Sequence, residues 1–240
     1  MQCKTRIATL ALLVIVVSAC ATSTPAPSQS VKATRSRSSS ANRYAMSAKT
    51  FFSQKAAQQT IDAFNLDPAL LGAAIFHETN IRRSKAGKNR LGYDLRLEKA
   101  ARMHAQSMAN GRYLSHTNPH QKSLRTPKDR AQRAGYDPRY ISENVATHFD
   151  IQYKNGTAFY RLPKGAKGRF SYQPKGKPIP SHTYRTFARS LLNQWMNSTG
   201  HRHNILSELP VQMGAGCAAA AADDEMNTLY CVQMFGMGLR

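Results

Sequence analysis

Ser198 and His201 stand three residues apart beside an apolar helical run, a spacing at which a hydroxyl and an imidazole can face each other around a helix end. With Glu143 or Glu78 to orient the ring, they outline a Ser-His-acid hydrolase arrangement. The surroundings favour a turn or cap serine, because no Gly-x-Ser-x-Gly elbow encloses Ser198 and Gly200 follows closely. Cys217 and Cys231 carry a different chemistry. Each lies seven residues from Asp224, at the middle of a pattern that runs apolar, acidic and apolar again, as a hairpin with an acidic tip would. That symmetry sets the two sulfurs opposite each other, and the closed loop would add about 3 kcal/mol in the chain-entropy model. A metal-binding cysteine pair is the weaker alternative.

Positioning these groups falls to a few periodic segments. A helical pattern runs from about Ala45 to Phe64, with Phe52, Ala56 and Ala63 near one face. Asn65 and Asp67-Pro68 stop it and start a second helix from Pro68 to about Arg83, whose stripe of Leu71, Ala74 and Ile75 ends in Glu78. A third is expected from Leu95 to Asn110. His104 shares its apolar face with Leu97, Ala101, Ala105 and Met108, and so reads as a core histidine rather than a ligand. Tyr113 to His116 close that helix, Arg130 to Tyr136 lead through a turn, and Ser142 to Val145 form a short strand or loop. A last helix is signalled from Arg185 to Asn197 by Phe187, Leu191 and Trp195, with Gly200 at its end. Strand-like segments around Val211 to Cys217 and Thr228 to Phe235 close the chain.

Between them, residues 151 to 190 hold nine Lys or Arg and no acid, interleaved with Tyr153, Phe159, Tyr160, Phe170, Tyr172 and Tyr184. This is the composition of an exposed lobe that binds anionic polymers, or of a solvated loop that resists aggregation.

The 240 residues are 41% hydrophobic, enough for a real core, which excludes wholesale disorder. Lys and Arg number 34 against 13 acids, a net charge of +21, and the surface therefore favours anionic partners. The N-terminus bounds which ones. Lys4 and Arg6 precede an apolar run from Ile7 to Val17, too short to span a bilayer and shaped like a secretory signal. It ends in Val17-Ser18-Ala19-Cys20, which resembles a lipoprotein lipobox, so Cys20 is the expected lipidated N-terminus of the mature chain. An ordinary small-residue cleavage site is the plainer alternative. Residues 21 to 44, rich in Ser, Thr, Pro and basic residues without a single acid, form a tether rather than a core. Export makes intracellular nucleic acid an unsuitable partner and favours lipopolysaccharide, anionic lipid, teichoic-type polymer or peptidoglycan, with extracellular DNA as a further alternative. The expected location is extracytoplasmic, on the outer membrane or periplasmic face if the source is Gram-negative.

Several motifs then fall in a recognisable order: Tyr-x-Ser-His at 113 to 116, Glu-Asn at 143 to 144, Trp-x-x-Ser-x-Gly-His-Arg-x-Asn-Ile-Leu from Trp195 to Leu206, and Gln233-x-Phe235-Gly236. Over residues 70 to 240 the chain resembles the bacterial branch of the CAP superfamily, the cysteine-rich secretory, antigen-five and pathogenesis-related proteins. The resemblance implies an α+β fold, a three-layer α-β-α sandwich around a central antiparallel sheet. It also implies a cavity lined by two histidines and acids, here His116, His201 and Glu143. Animal and plant members carry a glutamate three residues after the tryptophan, where this chain has Ser198. The basic insertion at about 151 to 184 is a second departure, either one wall of the cavity or a separate surface.

The domain organisation expected is thus a signal over 1–19, a tether over 20–44, a helical extension over 45–69 and the CAP domain over 70–240. Two converging imidazoles are half a zinc site, with Glu143 as direct or water-mediated support, so His116 and His201 are the candidate zinc ligands. The same three residues could instead carry protons, hydrogen-bond a polar ligand or form a structural network. Catalysis stays open between Glu143, His201 and Ser198 as candidates. Arg202 and His203 are expected to face solvent or anions, Asn204 to satisfy turn backbone, and His77, His120, His148 and His182 show no ligand spacing.

Overall fold

The computed structural model describes residues 42–164, 168–220 and 226–239. The signal, Cys20, most of the tether and the acidic stretch Asp223 to Glu225 lie outside them. Among the described residues no helix is long and apolar enough to cross a membrane.

The helical pattern before Phe64 resolves into two short helices, α1 (Ala48–Ser53) and α2 (Lys55–Gln58), rather than one. Gln54 between them is extended, ending α1 and opening α2. Phe51, Phe52, Ala57 and Ile61 are buried in the main core, so this extension is part of the domain body. Helix α3 (Pro68–Lys85) starts where Asp67 caps it and Pro68 supplies a preset first turn. Helix α4 (Leu95–Gly111) is capped by Asp94 and ends at Arg112 in the left-handed region. The expected turn at Arg130 is instead a helix, α5 (Pro127–Arg133), opened by a reciprocal capping box between Thr126 and Asp129. Helix α6 (Tyr184–Met196) is followed, after a two-residue break, by α7 (Thr199–Leu206). Gly200 therefore lies in the first turn of a new helix and does not end the previous one.

The sheet is built from β1 (Gly92–Tyr93), β2 (Pro138–Phe149), β5 (Gln212–Ala220) and β6 (Thr228–Gly238), in the order β1-β5-β6-β2. The β2–β6 and β5–β6 pairs are antiparallel, as expected. The two-residue edge strand β1 pairs with β5 in parallel, a departure from the all-antiparallel expectation. Two cores complete the α-β-α layering. Helices α3, α6 and α7 pack with Met213, Ala215, Leu229 and Phe235 on one face. Helices α4 and α5 pack with Val145, Val232 and Met234 on the other.

Close approach explains the small residues of β5. A Cβ at Gly214 would lie 2.0 Å from the Glu98 backbone nitrogen, so the strand meets α4 backbone to backbone. Cys217 and Cys231 sit directly opposite each other in the β5–β6 register and are joined by a disulfide, as their spacing predicts. The basic-aromatic insertion is a lobe of its own. A two-residue ladder joins β3 (Tyr160–Arg161) to β4 (Phe170–Ser171), over a small core of Phe170, Ile179 and Met226.

Candidate functional site

The edge strand β2 carries the site because alternate residues serve opposite faces. Glu143 points to the α4/α5 face and Asn144 to the other. Glu143 is almost wholly buried, and a buried carboxylate needs partners. It has two: His116 Nδ1 donates to Oε1 at 2.9 Å, and Arg130 Nη2 donates to Oε2 at 2.6 Å.

Arg130 is the residue that sequence reasoning missed. It is fully buried, and its guanidinium also donates to the carbonyls of Leu124, Arg125 and His116. One side chain thereby fixes both the acid and the loop that bears its histidine. The available signal was the Thr126-Pro127 helix start followed by Asp129, which turns Arg130 inward on the first turn of α5.

The loop after α4 is held at further points. His104 Nε2 donates to the Ser115 carbonyl at 2.7 Å, while Asn118 accepts from the His120 and Gln121 amides. His104 is thus the core residue its stripe predicts, and burial lowers its pKa. With Nδ1 committed to Glu143, the His116 ring presents Nε2 outward, and its side chain is 53% exposed.

His201 reaches the same region from the other layer. It lies in the first turn of α7, a helix docked on β2 through amides: Asn144 Nδ2 donates to the His201 carbonyl, and Asn204 Nδ2 donates to the Glu143 carbonyl and to Asn144 Oδ1. Asn204 thus serves the strand and not its own turn. Behind it the chain of bonds continues inward, since Asn144 also donates to Gln233 and Gln233 donates to Thr79 Oγ1. The motif residues Asn144, Asn204 and Gln233 therefore form a buried strut between α7 and α3. Burial lowers the His201 pKa, and the charge of His116 lowers it further, so the two imidazoles sense each other.

The Ser-His-acid outline is not assembled. Glu143 orients His116 rather than His201, and Glu78 bonds Arg82, which also reaches Asn193. Ser198 is the N-cap residue of α7 and is partly exposed, with no side-chain cap bond. Arg202 and His203 are exposed as expected, Arg202 donating to the Met196 carbonyl. As a zinc site the donor set falls short. His116 Nε2 and the His201 ring supply two nitrogens, but Glu143 is spent on Arg130 and His116. Among the described residues no group of three His, Cys, Asp or Glu is gathered for an ion, against the three or four protein ligands of zinc centres.

Two histidines without ligand spacing do meet. The rings of His148 and His182 lie 5.4 Å apart at the root of the lobe. Their separation by 34 positions hid the pair.

Residues 76–235 match the model of the cysteine-rich secretory protein family, CAP. Among curated proteins, uncharacterized protein YkwD of Bacillus subtilis (strain 168) is 27% identical over 138 residues, 58% of this chain and 38% of that protein. The chain thus spans under two fifths of that relative's length. An extracellular SCP-domain protein from Bacillus anthracis has a TM-score of 0.45 at 23% identity, covering 70% of this chain and 41% of its own. An outer surface protein from Borrelia burgdorferi has a TM-score of 0.44 at 18% identity, covering 69% and 90%.

Proposed function

The chain belongs to the cysteine-rich secretory protein (CAP) family, and from that premise we propose that it is an exported, lipid-anchored binding protein whose His116, Glu143 and His201 site takes a polar envelope or extracellular ligand. The observation that carries this reading is the His116 ring, pinned through Nδ1 by a buried carboxylate while its other nitrogen faces out. A fixed donor or acceptor of this kind costs little entropy when a ligand binds. The His201 ring, whose pKa burial lowers, offers a second. An extracytoplasmic address is supported by the Cys217–Cys231 disulfide and by the signal and lipobox pattern ending at Cys20.

The test is a calorimetric titration of the protein with soluble wall fragments. The double variant His116→Ala, His201→Ala should lose the heats seen with wild type. Equal heats with every wall fragment remove the site. Replacing Cys20 by Ser should release the protein from membranes, and unaltered fractionation would end the lipid-anchor reading.

One contact favours a second reading, an envelope hydrolase. A carboxylate bonded to an outward-facing imidazole is an acid-base pair in outline. That reading requires turnover of a peptide or wall polymer that Glu143→Gln abolishes while the fold persists. A broad substrate screen without turnover leaves binding alone.

A further inference from the structure

We propose that the basic lobe docks on an anionic phospholipid bilayer through its exposed aromatic pair, Phe159 and Tyr160. The proposal is independent of the cavity reading. The lobe leaves β2 after Phe149, six residues beyond Glu143, so about 20 Å of strand separates the two.

Phe159 and Tyr160 are each 46% exposed. They are nevertheless mounted on a packed base. Phe159 lies perpendicular to Tyr153 at 5.6 Å and to Phe170 at 5.4 Å, and Phe170 is buried with Ile179 and Met226. An apolar ring held rigidly in water gains on transfer into the boundary between headgroups and acyl chains, and little ordering entropy opposes it.

The charge of the lobe has matching character. Residues 151 to 183 hold no acid, and Lys154, Lys164, Lys175 and Lys177 are exposed. Flexible ammonium groups attract a sheet of phosphates without needing a shaped pocket, whereas recognition of one polymer would call for planar forks. The lobe's described arginines, Arg161 and Arg169, lie instead against the Phe170 ring, at 5.8 and 5.4 Å from its centroid. Aromatic side chains flanked by lysines are the composition of interfacial anchors. Stable membrane attachment commonly takes two signals, and the lobe would be a second beside an acyl chain.

The experiment uses the full chain with Cys20→Ser in every sample, so that no acyl group contributes. Phe159→Trp reports on the aromatic pair, because the native Trp195 is fully buried and gives a constant background. On vesicles of phosphatidylglycerol with phosphatidylcholine its emission should shift to the blue and be quenched by lipids brominated in the acyl chain. On phosphatidylcholine alone it should not move. Converting Lys154, Lys164, Lys175 and Lys177 to Gln should weaken anionic-vesicle binding at least about tenfold. Unmoved emission on anionic vesicles overturns the proposal, as does undiminished binding by the lysine variant. Retention on anionic polysaccharide or DNA with no lipid response would also overturn it, in favour of a polymer surface.

Discussion

Glu143 is a carboxyl group buried between an arginine beneath it and a histidine above. Removing one member of a buried ion pair leaves the other without compensation, at a cost of about 3 to 5 kcal/mol. Arg130→Met is expected to destabilise the fold by that order in urea unfolding, more than an exposed arginine such as Arg202 replaced in the same way. It should also disorder His116, whose carbonyl the same guanidinium holds, so the ring resonances should broaden or move. A loss under about 1 kcal/mol would mean that water replaces the guanidinium. The histidines and the acid were legible as ordered motifs. Their support was not, since a single arginine within Lys128-Asp129-Arg130 reads as a solvated charge until the helix that turns it inward is known.

At the level of elements, period and burial agree for two of the long helices, since the stripes of α4 and α6 face the cores as their spacing predicts. Helix α3 is instead buried on every side from Leu70 to Asn80, and its stripe of Leu71, Ala74 and Ile75 is only part of what it buries. Strand β2 was harder to see, and for a physical reason. Ser142, Glu143 and Asn144 are consecutive polar residues where a half-buried strand should alternate, because one face holds the Arg130 pair and the other the amide strut. The buried polar networks on both faces thus erased the pattern that betrays a strand. The glycines of β5 lend themselves to a direct test. Gly214→Ala would drive a methyl group into the α4 backbone and should lower stability by about 1 to 3 kcal/mol, seen as a fall in Tm of several degrees. An unchanged Tm would show that α4 and β5 can slide apart. Opening the hairpin by Cys217→Ser with Cys231→Ser should cost about 3 kcal/mol in the chain-entropy model, measured under non-reducing conditions against wild type.

Across the whole molecule, buried histidines add to the acid sensitivity that a large positive charge already brings. Burial lowers the pKa of His77, His104, His148 and His182. His182 falls furthest, to about 4, because the neighbouring His148 adds repulsion. In each case the unfolded chain binds the proton more readily than the folded one. Stability is therefore full above the unfolded value near 6.5 and is lost as pH falls toward the folded value. For His182 alone the loss completes below about pH 4 and is on the order of 3 kcal/mol. Asp150, also at the lobe's root, works in the other direction: burial raises its pKa, so protonation near the bottom of this range favours the folded state. The side chains bonded to the pair are neutral: Gln194 and Ser190 bond His148, and Thr186 bonds His182. Urea unfolding from pH 7.5 to 4 should show a steady decline, with the lobe's resonances broadening before those of α4 and β5. His182→Leu removes the steepest contributor, so its curve should be flatter in the acid limb even if its stability at neutral pH is lower. A variant curve parallel to that of wild type would assign the acid loss to the remaining histidines and the general repulsion of a chain at +21.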